Sequence, residues 1–263
     1  VKRHVLVTND DGVSSPFFVL LCEELARRFR LTIAAPDWER SWTGKSQTVT
    51  RPVVAHPVVV GGVEGHSLSG RPADCVNIGI YHLCDERPDL VVSGINVGTN
   101  CGAAFAISSG TIGACLEANI AGIPAIALSQ HLDTRSWRLW KDEQRIAPPL
   151  LDRVTRQLAS WLNGVFDFAS NYSTRGHPTT LSVNFPHTEP SSPHPVLCNL
   201  SKARYHSCFQ RTEYGFSHKL QGFDLDSDPE SDLSQLVKGA ITVTELDYQG
   251  LGVTPVLGEM TDD

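Results

Sequence analysis

Two carboxylates stand side by side near the start of this chain, in Thr8-Asn9-Asp10-Asp11-Gly12, directly after the apolar run His4-Val5-Leu6-Val7. Short β-branched runs of that kind form buried parallel strands, so the acids are expected at a strand's carboxyl end. Ligands of open α/β sheets bind at that edge. Beyond the last ladder bond the chain can turn both side chains toward one point, and Gly12 permits the turn. Like charges held so close raise a pKa unless something positive lies between them. A hard divalent cation with oxygen ligands meets that demand. The plain structural alternative is a solvated Asp-Gly turn.

Three further stretches offer polar atoms at the same edge. The loop Asp37 to Ser46 carries Ser41 as a neutral oxygen, Lys45 as a phosphate partner, and Trp38 or Trp42 as a flat surface for a base. Loop residues of these types are ordinarily just solvated. Pro88-Asp89-Leu90-Val91-Val92 ends in Ser93-Gly94-Ile95-Asn96-Val97-Gly98-Thr99-Asn100, where Asn96 is an oxygen donor and Gly94, Gly98 and Gly102 let backbone approach a ligand. No Gly-x-Gly-x-x-Gly occurs there, which excludes a dinucleotide fingerprint. Ser108-Ser109-Gly110-Thr111 opens a small-residue helix, Ile112 to Ala121. Its unpaired N–H groups and dipole suit phosphate, with the Ser109 and Thr111 hydroxyls as extra donors; an ordinary N-cap is the commoner use of such residues.

The elements that must position these groups alternate along the chain. Pro16 starts a helix whose apolar face is Phe18, Leu21, Cys22, Leu25 and Phe29, and Leu31 to Ala35 follows as a strand. Strand, helix, strand implies a right-handed crossover and a parallel pair. Val53-Val54 and Val58 to Val60, broken by Pro52 and Pro57, read as edge strands or a peripheral hairpin. Pro72 starts a helix with Asp74 in its first turn, where dipole support and substrate contact are equally good readings. Ala125 to Ser129 is a further strand, a helix with Leu151, Val154, Leu158 and Trp161 or Leu162 inward starts at Pro148-Pro149, and Thr180 to Asn184 is expected to be the last core strand. From Pro186 to about Asp232 the chain turns rich in proline and histidine with little periodicity, as an arm would. Ile241 to Thr244 reads as a returning strand, and the acidic end at Asp262 and Asp263 as frayed.

With 263 residues, 41% hydrophobic and 19% charged, the chain suits one large α/β domain. A net charge of −7 argues against a nucleic-acid duplex as partner but permits a small phosphorylated substrate. No apolar run approaches the roughly 20 residues of a membrane span, and no secretory pattern precedes the first strand, so no membrane partner and a cytoplasmic location are expected. The seven cysteines form no Cys-x-x-Cys pair and read as free, mostly buried thiols.

Collectively these stretches resemble the SurE (survival protein E) nucleotidases: Val5 through Gly12, Ala35-Pro36 through Ser41 and Gly44, Gly70 with Pro72 to Val76, Val92 to Asn96, and Ser109-Gly110-Thr111 with Gly122-Ile123-Pro124. They cover about the first half of the chain in order. The resemblance implies a Rossmann-like three-layer α/β/α core with a mostly parallel sheet at 1–185. It also implies an extended C-terminal arm or hairpin region at 186–263, integrated with the core and pairing copies into a homodimer or homotetramer. It implies metal ligands Asp10, Asp11, Ser41 and Asn96 for one divalent ion, Mg²⁺ or Mn²⁺, with Asp10 and Asp11 catalytic. Phosphate or substrate would be held by Asn9, Asn100, Ser109, Gly110 and Thr111. The chain departs from the family's pattern in having nine steps from Asn100 to Ser109 rather than eight, Ala103, Ala104 and Ser108 in place of an acid and a Tyr or His, and Arg71 in place of Thr. Those changes bear on the substrate pocket and leave the metal set intact.

The expected reaction is metal-assisted hydrolysis of a nucleoside monophosphate to nucleoside and phosphate. A haloacid-dehalogenase-type phosphatase with a covalent Asp would need Asp-x-Asp, whereas these acids are adjacent. A nucleotide- or metal-binding module without turnover is the alternative outside enzymology, motivated by the altered stretch before Ser109.

Overall fold

Alternation in the first strand sets up the whole architecture. In a computed structural model, which describes residues 2–171 and 176–251, β1 (His4–Thr8) sends Val5 and Val7 to one side and Leu6 to the other. Successive strand side chains point to opposite faces, so a strand apolar at every position must be covered twice. On one side the cover is α1 (Pro16–Ala26) and, later in the chain, a long helix at Pro148–Asn171. On the other it is α2 (Pro72–Ile78) and a helix at Gly110–Ile120. The result is a three-layer α/β/α core.

The remaining elements follow in order. β2 (Arg30–Pro36) leads to the hairpin of β3 (Ala55–Val60) and β4 (Val63–Leu68), then to β5 (Leu90–Val97), α3 (Ala103–Ser108), α4 (Gly110–Ile120) and β6 (Ala125–Gln130). Then come α5 (Thr134–Glu143), α6 (Pro148–Asn171), β7 (Thr180–Phe185), the short strands β8 (Val196–Leu197), β9 (Arg204–Tyr205), β10 (Phe209–Thr212), β11 (Gly215–His218) and β12 (Phe223–Asp224), and finally α7 (Asp232–Val237) and β13 (Thr242–Leu246). Nine strands form the central sheet in the order β3-β4-β2-β1-β5-β6-β7-β13-β8, with β4, β2, β1, β5, β6 and β7 all parallel. β1 lies between β2, which follows it through α1, and β5, which the chain reaches from β4 through α2 on the other side. A switch point of that kind opens a crevice beyond the carboxyl ends of the two strands.

Several features depart from the sequence-based expectation. The peripheral hairpin expected around Val58 to Val60 is present, but its first strand is Ala55–Val60, leaving Val53-Val54 outside it, and its turn, Gly61-Gly62, has positive φ at both residues, 55° and 77°, the conformation a tight two-residue connection requires. The second strand, β4, has too little apolar character to stand out in the sequence. Thr180–Phe185 is not the last core strand: β13 pairs antiparallel with it and is nearly all buried. Leu162 is buried in α6, while the side chain of Trp161 and the residues Asp262 and Asp263 lie outside the described residues. The arm from Pro186 carries the β10–β11 hairpin and the β9–β12 pair before α7 returns it to the sheet.

One close approach fixes the helix that faces the switch point. A Cβ on Gly113 of α4 would lie 2.2 Å from the carbonyl oxygen of Gly44, a backbone atom that cannot step aside alone. Gly113→Ala is therefore expected to destabilise the protein by about 1–3 kcal/mol despite alanine's higher helix propensity. A urea midpoint equal to wild type would show that α4 and the loop before it are not held in contact.

Candidate active site

Asp10 and Asp11 follow β1 at the switch point and are buried, 3% and 6% exposed. The loop that carries Ser41 is brought over them by backbone contacts. The Arg40 amide donates to the Asp10 carbonyl at 2.7 Å and the Val13 amide to the Pro36 carbonyl at 3.0 Å. Gly12, at φ 91°, sits where a Cβ would be 3.0 Å from the Trp38 backbone, so the two loops meet only because this position has no side chain. From the other side α4 brings Gly110 so near that a Cβ there would be 2.9 Å from the Cβ of Asp10.

Each carboxylate is oriented by one neighbouring element. The Thr111 hydroxyl donates to Asp10 Oδ1 at 2.6 Å, and the Val97 amide donates to Asp11 Oδ2 at 2.9 Å. Burial lifts the Asp10 pKa from its ordinary 3.8 to about 6, with the Thr111 hydrogen bonds pulling against the rise. Burial, and then the charge of Asp10, push Asp11 well above the same starting value. Arg40 does not relieve them, because its guanidinium donates to the Gly70 and Ser69 carbonyls and to Asp37.

A cavity of about 730 Å³ opens above this point, with Asp10, Ser41, Asn96, Asn100 and Ser109 in its wall. The register between β5 and β6 shifts between Ser93 and Asn96, a local irregularity at the strand end that carries Asn96. Among the described residues no three His, Cys, Asp or Glu side chains come together as a metal site. A cation here would rest on the two Asp carboxylates completed by the neutral oxygens of Ser41 and Asn96. That all-oxygen set, with a buried uncompensated negative charge, fits a hard divalent ion.

Not every candidate from the sequence lands in the wall. Asn9 is fully buried and its amide nitrogen donates to the Gly12 carbonyl at 2.8 Å, holding the acid loop from beneath. Gly110 and Thr111 stand behind Asp10, Gly110 by its close approach and Thr111 by its hydrogen bond. Asn100 lines the cavity while its Nδ2 donates to Ser129 Oγ at 2.8 Å, leaving one N–H of the amide for a ligand. Ser109 caps α4 by accepting from the Ile112 amide. Ser41 Oγ donates to Glu39 at 2.8 Å.

Three expectations are corrected. Lys45 is no phosphate partner: its ammonium pairs with Glu117 of α4. Trp38 carries the Arg40 guanidinium over its ring at 4.1 Å and lies outside the cavity wall, so of the two tryptophans of this loop only Trp42 lines it. Arg71 is not in the cavity wall; it donates to the Gln47 carbonyl, and Asp74 accepts from the Thr48 and Arg71 amides, which makes its role structural. Of the altered stretch, Ser108 does line the cavity, whereas Ala103 and Ala104 do not.

Other wall and support residues carry no local signal in the sequence. Asn184, at the end of β7, accepts from the Asn100 amide at 2.9 Å and the Thr99 hydroxyl at 3.0 Å, and so fixes the Asn100 loop. Its place at a strand's carboxyl end was the one available clue. Trp137, Trp140 and Lys141 come from α5, whose start is marked by Asp133 accepting from the Ser136 amide at 2.7 Å. His218, Lys219 and Leu220 come from the arm, more than 100 residues beyond the α4 turn, and only folding could reveal them.

The family model for survival protein SurE matches residues 5–207. The 5′-nucleotidase SurE of Methanopyrus kandleri is 32% identical over 246 residues, 92% of this chain and 90% of that protein. Its counterpart from Thermosipho africanus is 30% identical over 256 residues, 92% and 91% of the two chains. The crystal structure of the Sure protein from Aquifex aeolicus superposes with a TM-score of 0.69 at 26% identity, covering 92% of each chain.

The raised pKa values have a sign. Between the ordinary 3.8 and about 6 the folded protein binds more protons at Asp10 than the unfolded chain does, so the site's contribution to stability falls as pH rises through that window. In a chelator, Asp10→Asn is expected to melt higher than wild type at pH 7, the gap closing toward pH 4. Thermal melts at a series of pH values check this. A gap independent of pH would mean the carboxylate is not strained by burial.

Proposed function

The chain belongs to the survival protein SurE family, and from that membership we propose that it is a divalent-metal-dependent 5′-nucleotidase, a phosphohydrolase that converts nucleoside monophosphates to nucleoside and phosphate. The observation that carries the reading is the pair of buried carboxylates, Asp10 and Asp11, set at the sheet's switch point against the first turn of α4. Asp10, Asp11, Ser41 and Asn96 would hold one Mg²⁺ or Mn²⁺. When bound, the ion supplies charge screening for phosphate oxygens and a lowered pKa for water.

The roles of the side chains follow from where they sit. Asp10 is the carboxylate in the cavity wall, oriented by Thr111, and is placed to take the proton of the attacking water. Asp11, held by the Val97 amide behind it, supplies charge and an oxygen donor rather than a base. As water bonds to phosphorus and the ester P–O bond breaks, negative charge builds on the phosphoryl oxygens. The remaining N–H of Asn100 and the Ser109 hydroxyl, both in the cavity wall, and the dipole at the start of α4 would stabilise those oxygens. Lys141 and Lys219 in the same wall add positive potential, which suits a dianionic substrate on a chain of net charge −7.

The same reading makes the protein a cytoplasmic homodimer or homotetramer. Its free thiols support the compartment. Exposed Tyr214 and Phe216 on the β10–β11 hairpin support association through the arm.

Purified protein is expected to release phosphate from nucleoside 5′-monophosphates with Mg²⁺ or Mn²⁺ and not in a chelator. Asp11→Asn should nearly abolish turnover while the protein stays folded, its thermal midpoint in a chelator at pH 7 no lower than that of wild type, and Ser109→Ala should lower turnover roughly 10- to 1000-fold. Metal-dependent activity retained in Asp11→Asn would overturn the assignment. Tight nucleotide binding with no phosphate release under either metal would make the protein a binding module instead.

A further inference from the structure

Beside Ser41, at the edge of the proposed metal set, the cavity wall continues into an aromatic cluster that joins the loop to the arm. Trp42 lies 6.2 Å from Phe105 of α3, 5.6 Å from Tyr205 of β9 and 4.9 Å from His218 of β11, ring centre to ring centre. The interplanar angles are 62°, 73° and 59°, so no neighbour is stacked parallel on the indole. Trp42 is 42% exposed and lines the cavity together with Phe105 and His218. Its backbone sits at φ 61°, a left-handed conformation that bulky residues rarely adopt. Such a conformation persists only where the surroundings over-determine it. Here they do: the Gly44 amide donates to the Ser108 carbonyl, and the Tyr205 hydroxyl meets Ser108 Oγ at 3.1 Å.

We infer that the Trp42 indole, braced by His218 and Tyr205 of the arm, is the platform on which the substrate's nucleobase stacks. The arm is thereby a specificity element of its own chain's active site. The inference rests on the nucleotidase reading and gives it a recognition side. A cavity of about 730 Å³ leaves space for a nucleoside beyond the phosphate end. Aromatic faces bind any base, so the platform selects for a flat heterocycle rather than for one nucleotide. Trp137, 46% exposed in the same cavity, supplies a second aromatic surface near Asn96, its ring 3.7 Å from where a Cβ on Gly98 would stand. The competing reading is that the cluster merely packs the arm onto the core.

The experiment compares a nucleoside 5′-monophosphate with ribose 5-phosphate, which carries the same phosphoester and no base, in wild type, Trp42→Phe and Trp42→Ala. Binding of the free nucleoside is measured alongside by calorimetry. Trp42→Ala is expected to lower kcat/KM for the nucleotide roughly 10- to 100-fold, chiefly through KM, while ribose 5-phosphate stays within about twofold and Trp42→Phe retains most of the preference. Equal losses on both substrates, or a wild type that does not prefer the nucleotide, would overturn the inference while leaving the phosphatase reading standing. If neither substrate is hydrolysed, the nucleotidase reading fails on its own. Nucleoside binding that weakens at least about 10-fold in Trp42→Ala would still support the platform, and binding that is absent or unchanged would sink it.

Discussion

Two neighbouring carboxylates buried at one strand end are an electrostatic liability, and the rest of the active-site architecture answers to it. Each has lost water, each raises the energy of the other's ionised form, and the guanidinium of Arg40, whose amide bonds the Asp10 carbonyl, is turned to other backbone carbonyls. A pair of hydrogen bonds from Thr111 and Val97 fixes their orientation without neutralising them. Protonation or a compensating cation relieves the strain, and the oxygens available around the pair are those a hard cation takes.

Close backbone approaches make that arrangement possible. Gly12 lets the Ser41 loop cross the acid loop, Gly110 lets the start of α4 press against Asp10, and Gly113 seats the same helix on Gly44. The start of α4 is thus set against the carboxylates by the absence of side chains, with the Thr111 hydrogen bond to Asp10 as the attractive contact. The opposite wall is built differently, from large side chains of α5 and the arm, and its geometry depends on packing of rings.

The first of these two walls was legible in the sequence and the second was not. β1, β5 and the start of α4 announce themselves through apolar runs that stop in small and polar residues, which puts Asp10, Asp11, Asn96 and Ser109 at one edge from the sequence alone. Ser41 was found because its loop leaves the neighbouring parallel strand at that edge. Lys45 failed because a loop's direction of travel does not say which way a long side chain points, and Glu117 on α4 offered it a partner. α5 went unseen because only Trp140 is buried on it, leaving no apolar stripe to read. His218 and Tyr205 belong to short exposed strands whose pairing is set by the arm's path, which no local periodicity encodes.

The central claim is that Asp10, Asp11, Ser41 and Asn96 converge on a single cation. Titration of the metal-free protein with Mn²⁺, followed by the loss of the free ion's electron paramagnetic resonance signal, tests it most directly when run on wild type, Asp10→Asn and Asn96→Ala. One saturable site per chain, weakened in both variants, is the predicted result. Absence of saturable binding in the wild type, or an affinity indifferent to both substitutions, would contradict it.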